Sequence, residues 1–103
     1  MFLVVFRNRK RVDIDQTAYD AEAERMEALA RGQSGYRSFK SYAGKDGEVI
    51  ALSEWDSAEA ARAWGREAEH IAAQARGRGM YYESYTLFAC DGPQVRSFKR
   101  EAP

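Results

Sequence analysis

A chain of 103 residues falls within the size of one domain. Its 16 Lys and Arg balance 16 Asp and Glu, which excludes a general nucleic-acid binder, because such a protein needs a basic excess to neutralise phosphates. One cysteine (Cys90) and one histidine (His70) exclude an internal disulfide and any multi-Cys or multi-His metal site within a subunit, so no metal is expected and a reducing, cytoplasmic setting is the natural expectation.

The chain opens on Phe2–Phe6, an apolar run of five residues followed by Arg7, Arg9, Lys10 and Arg11. A signal peptide carries its basic residues before a longer apolar stretch, and a membrane span is far longer, so neither is expected and no membrane partner is implied. Residues 2–9 predict a strand, with Phe2, Val4, Phe6 and Asn8 on one face and Leu3, Val5, Arg7 and Arg9 on the other. Residues 15–31 predict a helix capped by Asp13 or Asp15, with Tyr19, Ala23, Met26, Leu29 and Ala30 on its apolar side. Gly32 stands where a left-handed C-terminal residue belongs. Residues 35–43 and 48–55 predict two strands joined by a Lys45–Asp46–Gly47 hairpin loop, with Val49, Ala51, Ser53 and Trp55 on one face of the second.

Asp56 or Ser57 opens the next helix, and Asp56 with Glu59 has capping-box spacing. Ala61, Trp64, Ala68, Ile71 and Ala75 form an apolar stripe that runs to Gly77–Gly79, implying roughly five turns with a break near His70. Residues 80–90 predict a last long strand rich in tyrosine, Asp91–Gly92–Pro93 a turn, residues 94–99 a short extra strand, and residues 101–103 a fraying end.

The order β-α-β-β-α-β with right-handed crossovers gives an α+β, ferredoxin-like sandwich, four antiparallel strands with two helices on one face. The second face of that sheet is apolar too, through residues such as Leu3, Val5, Phe39, Ile50, Leu52, Tyr81 and Tyr85. Monomers rarely expose such a patch, and two copies packed sheet to sheet bury it, so a homodimer is expected.

Several segments carry a family likeness: the first strand FLVVFRNRK, the helix end LARGQSGYRSF, the strand-to-helix junction SEWDSAEAARAW, its continuation REAEHIAAQARGRG, and the last strand MYYESYTLFAC. In these the chain resembles the antibiotic biosynthesis monooxygenase domain family of the dimeric α+β barrel superfamily. The resemblance covers residues 2–90 of a single domain spanning 1–103, with a short strand and tail at 91–103. It implies a small monooxygenase that oxidises an aromatic, polyketide-like molecule without a cofactor, in a pocket between sheet and helices. It equally admits two alternatives, a haem-binding or haem-degrading monooxygenase and a non-catalytic dimeric module that binds a small molecule. In haem-degrading members an Asn near the end of strand one, a Trp on the second helix and a His ten residues beyond it line the haem pocket. Asn8 and Trp64 match; the third position is Gln74, and His70 comes six residues after Trp64. In quinone-forming members a Trp, an Asn one turn before it and a later aromatic hydroxyl are associated with the site. Trp64 matches, Ala60 replaces the Asn, and His70 stands near the hydroxyl.

The candidate catalytic residues are therefore His70, Trp64 and Asn8. His70 is the only side chain whose ordinary pKa suits a base near neutrality, and the only strong nitrogen ligand for haem iron. On a straight helix it lies roughly 140° from the apolar stripe and faces solvent, whereas a kink redirects it. Trp64 reads as helix–sheet core or as the wall of a pocket for a flat molecule, with truncation to alanine expected to cost several kcal/mol if core. Asn8 ends an apolar strand face, where a buried amide needs a partner or a ligand. Phe6, Tyr36, Trp55, Gln74 and Tyr82 complete the expected substrate-binding lining. The basic run at Arg7–Arg11 reads as a solvated loop balanced by Asp13 and Asp15, or as a clamp for an acidic group.

Overall fold

The computed structural model describes residues 1–102, and every side chain within them except those of residues 68, 69 and 71. The elements are β1 (Phe2–Lys10), α1 (Gln16–Arg31), β2 (Tyr36–Ala43), β3 (Val49–Trp55), α2 (Ala58–Gly65), α3 (Ala68–Arg76), a π-helical turn (Gly77–Tyr81) and β4 (Tyr82–Asp91). They form the expected α+β, ferredoxin-like arrangement, an antiparallel sheet in the order β2-β3-β1-β4.

Alternation along β1 settles the faces. Phe2, Val4, Phe6 and Asn8 lie opposite Trp55, Ser53, Ala51 and Val49, and this is the face the helices cover. Trp55 is buried to 1% exposure and Ala30 to 3%, while the ring N–H of Trp55 donates to Ser53 Oγ at 3.1 Å. Leu3, Val5, Ile50 and Leu52 share the opposite face, as expected. Phe39, Tyr81 and Tyr85 do not. Phe39 pairs with Ser53 and Tyr85 with Asn8, on the helix side, and Tyr81 is buried in the π-helical turn against Tyr19.

A β-bulge reverses Phe39, whereas Tyr85 faces the helices through the β1–β4 register itself, and a second bulge lies just beyond it. One falls between Tyr36 and Ser38 on β2, the other where Arg9–Lys10 meets Tyr82–Ser84. Each inserts one unpaired residue and so inverts the odd–even parity of every residue beyond it.

The helix ends follow local chemistry. Asp15 caps α1 by accepting from Ala18 N–H at 3.0 Å. Gly32 is right-handed, not left-handed: α1 closes in a tight turn, with its N–H bonded to Leu29 and Ala30 carbonyls. The positive φ falls instead at Gly35, +84°, where an added Cβ would sit 2.5 Å from Ala60 Cβ. Ser57 caps α2 through Ala60 N–H at 3.1 Å; Asp56 makes no capping box because its carboxylate is taken by Arg37 at 2.6 Å. Gly47, at φ +88°, closes the β2–β3 hairpin.

The second helix breaks at Arg66–Glu67, just before His70, where Glu67 turns extended and recaps α3 by accepting from His70 N–H at 3.1 Å. This break shifts the phase of the stripe. Ala61 and Trp64 are half-buried, Ala75 is exposed and Ala73 turns inward instead; the side chains of Ala68 and Ile71 lie outside the described residues. Ala23 on α1 is likewise exposed. Met80 and Tyr81 belong to the π-helical turn rather than to the last strand. Residues 94–99 form no strand, and Val95 and Phe98 stand exposed at 64% and 80%. Of the expected fraying end, Pro103 lies outside the described residues. No helix among the described residues is long and apolar enough to cross a membrane.

Candidate functional site

The predicted residues gather into two groups on the helix side of the sheet. In the first, four rings run in a line from β2 to α3. Tyr36 meets Trp55 edge-on at 5.7 Å between centroids, Trp55 stacks on Trp64 at 6.3 Å, and Trp64 stacks on His70 at 4.1 Å with 13° between planes. The break at Glu67 produces the last contact, since it folds α3 back and lays the imidazole on the indole. His70 is half-buried, not solvated.

Its ring is oriented by the backbone. His70 Nδ1 lies 3.0 Å from the Trp64 carbonyl oxygen. A carbonyl only accepts, so Nδ1 carries the proton and Nε2 keeps its lone pair. Among the described residues Nε2 has no partner. Burial lowers the His70 pKa, against the smaller opposing pulls of the Trp64 carbonyl and Glu67, so the ring is a neutral base at neutral pH.

The second group lies six residues further along β1, roughly 20 Å from Phe2 and Trp55. Asn8 is buried at 2% exposure, and its Oδ1 accepts from Lys10 Nζ at 2.9 Å. Lys10 Nζ sits 4.6 Å from the centroid of the Tyr19 ring and 5.8 Å from that of Tyr82. The two phenol oxygens are 3.3 Å apart. Phe6 packs against both Tyr82 and Tyr85 at 5.3 Å. The bulge at Arg9–Lys10 makes this possible, because it turns Tyr82 and Tyr85 to the same face despite their odd spacing. Gly77 seats the Tyr82 ring, for an added Cβ there would meet Cε2 at 2.7 Å. Burial raises the Tyr82 pKa, with the Tyr19 hydrogen bond next, so it remains a phenol.

Trp64, His70, Tyr36 and Trp55 thus share one group, and Asn8, Phe6 and Tyr82 the other. Gln74 is exposed on α3 and joins neither. Between the groups the inner sheet face stays half-exposed at Val4, Phe6, Ala51 and Ser53, so the helices do not close tightly on β1. Lys10, Tyr19 and Glu67 were not among the candidates. Lys10 reads as part of a solvated loop, yet its even position puts it on the face of Asn8, a signal present in the strand alternation itself. Its basic neighbours do behave as surface groups: Arg7 pairs with Glu48, Arg9 with Asp46 and Arg11 with Asp13. Among the described residues no cluster of three or more His, Cys, Asp or Glu lies together as a metal-ligand set.

Comparison with known proteins identifies the family and the fold. The family model described as antibiotic biosynthesis monooxygenase matches residues 1–76. The uncharacterized protein YqjZ of Bacillus subtilis is 36% identical over 98 residues, 95% of this chain and 84% of that one. Among solved structures, Rv0793 of Mycobacterium tuberculosis superposes with a TM-score of 0.79 at 20% identity, covering 93% of this chain and 98% of that one. SnoaB of Streptomyces nogalater, a cofactor-independent oxygenase, superposes with a TM-score of 0.70 at 17% identity, covering 90% and 95%. At these identities the structural likeness establishes the fold.

Proposed function

The chain belongs to the antibiotic biosynthesis monooxygenase family, and from that premise we propose that it is a homodimeric monooxygenase that oxidises a small electron-rich aromatic molecule without a cofactor. The observation that carries the reading is the His70–Trp64 stack, in which one imidazole nitrogen is tied to the backbone and the other is left with a free lone pair beside a flat indole. A cleft over the half-exposed inner sheet face at Val4, Phe6, Ala51 and Ser53 would take the substrate.

In this scheme His70 Nε2 removes an acidic proton from a ring carbon flanked by a carbonyl or phenol. The carbanion passes one electron to O2, and the resulting pair combines to a carbon–oxygen bond. The peroxide is protonated by the imidazolium, then loses the remaining ring hydrogen and its outer oxygen as water, leaving a quinone carbonyl. One oxygen atom enters the product, the other leaves as water, and the substrate supplies every electron. Trp64 backs the imidazole by stacking on it and fixes the direction in which Nε2 points.

A second reading rests on the same nitrogen. A histidine that holds haem iron uses one imidazole nitrogen while the other is hydrogen-bonded, and His70 has that arrangement; its Nε2 would hold the iron, and the haem would supply oxygen chemistry. Two measurements separate the readings. Oxygen uptake with anthrone as substrate is expected in the wild type and reduced roughly 10²-fold or more in His70→Ala; equal uptake in both removes His70 from the chemistry. A saturable Soret shift near one haem per subunit, lost in His70→Ala, would favour haem instead.

A further inference from the structure

We infer that the Lys10–Asn8 end of the cleft is an anion-recognition subsite, and that the ligand of this protein is an aromatic molecule bearing a negatively charged oxygen, which Lys10 Nζ and Asn8 Nδ2 bind. This rests on the cleft reading above, but not on the chemistry assigned to His70.

The four basic residues at the end of β1 divide sharply. Arg7, Arg9 and Arg11 each meet a carboxylate. Lys10, on the helix side, meets none among the described residues, only Asn8 Oδ1 and two phenol rings. An ammonium has three donor hydrogens, and one is used. The carboxylate whose charge is felt at Tyr82, Glu22, is itself bonded to Arg76 at 2.7 Å. Tyr19 and Tyr82 share a hydrogen bond and supply no negative charge. A half-buried cation is thereby left without a counter-ion.

Asn8 makes the same demand independently. Because an ammonium only donates, the amide oxygen must face Lys10, and this fixes the amide's orientation. Its Nδ2 group is then 98% buried with its residue, and no acceptor for it exists among the described residues. A buried donor without an acceptor is costly and calls for a ligand oxygen. One oxygen placed against both groups answers the cation and the amide together. The rings of Phe6, Tyr82 and Tyr19 gathered around it suit an aromatic carrier.

The subsite is also built rather than incidental. The β-bulge opposite Lys10, the π-helical turn and the missing Cβ of Gly77 all serve to lay the Tyr82 ring beside it. π-helical turns of this kind are frequent at functional sites.

The test is a binding equilibrium followed by quenching of tryptophan fluorescence in the full chain. The probes are 1-naphthoate, its neutral amide 1-naphthamide, and 1-naphthol titrated across its ionisation. The wild type is expected to bind naphthoate saturably and at least roughly tenfold more tightly than naphthamide. Lys10→Met, which keeps the apolar stem, is expected to erase that preference, and Lys10→Arg to retain most of it. Circular dichroism of both variants confirms folding, and Lys10→Gln serves if Lys10→Met does not fold. Naphthol affinity that rises as it ionises identifies a phenolate as an accepted source of the charge; naphthoate preference without that rise restricts it to carboxylates. Equal affinity for naphthoate and naphthamide, an unchanged preference in Lys10→Met, or no saturable naphthoate binding by the wild type overturns the inference. None of these measurements depends on turnover, so failure of the monooxygenase reading, seen as absent oxygen uptake with intact binding, is a different result.

Discussion

His70 shows how a single backbone break changes a residue's chemistry. On a continuous helix it is a solvent-facing imidazole; recapped at Glu67 it becomes a half-buried ring against Trp64 with a lowered pKa. The sign of the pH effect follows. The folded pKa lies below the unfolded value near 6.5, so above that pH both states are neutral there and stability is complete. As pH falls through the unfolded value, the unfolded chain takes a proton that the folded chain resists, and stability declines. Urea melts at pH 7 and pH 5 are expected to show a loss of stability that is smaller in His70→Gln; an equal loss in both would place the sensitivity elsewhere. The two tryptophans make a second test. Trp55 is at 1% exposure and Trp64 only half-buried, so Trp55→Ala is expected to cost roughly 3–5 kcal/mol and Trp64→Ala clearly less. Equal costs would mean that Trp64 is core of the same kind and not the wall of an open cleft.

At the scale of elements, the strands and the first helix were readable because their signals are local: alternating Phe and Val in β1, an Asp-Gly hairpin, an Asp cap. What escaped was parity. Phe39 falls on the helix side because a bulge precedes it, and Tyr85 because the β1–β4 register sets it opposite Asn8; no sequence signal marks either bulge, since the extra residues, Arg37 and Glu83, are ordinary surface types. The helix break was legible in kind but not in place; Gly65 and Arg66 end α2, one turn before His70. Gly35 is the element junction most sensitive to change. It combines φ +84° with a Cβ position 2.5 Å from Ala60, so Gly35→Ala meets backbone strain of about 1 kcal/mol and overpacking of about 1–3 kcal/mol. A thermal melt is expected to register that sum, whereas Gly47→Ala, equally positive in φ but with open space around it, should pay the strain alone. Indistinguishable melting points for the two would show that β2 and α2 can separate freely.

For the whole molecule, the open sheet face is the surface that no helix covers. Leu3, Val5, Ile50 and Leu52 lie together there, joined by Phe88, which pairs with Val5 and is 48% exposed. Two such faces packed together would bury each other. Sedimentation at micromolar concentration is expected to give twice the chain's mass, and Leu52→Glu to give the monomer; a monomeric wild type would contradict the dimer. The sequence by itself determined element order, the ferredoxin-like topology, the family likeness and the prominence of Trp64, His70 and Asn8, because capping, alternation and turn chemistry act over a few residues. Only the tertiary structure decided that those residues form two groups, that Gln74 joins neither, and that Lys10 meets no carboxylate among the described residues. Those outcomes depend on how strands and helices far apart in sequence are brought together, on the bulges in β2 and β4 and on the recapped helix, which alternation and helical periodicity do not encode.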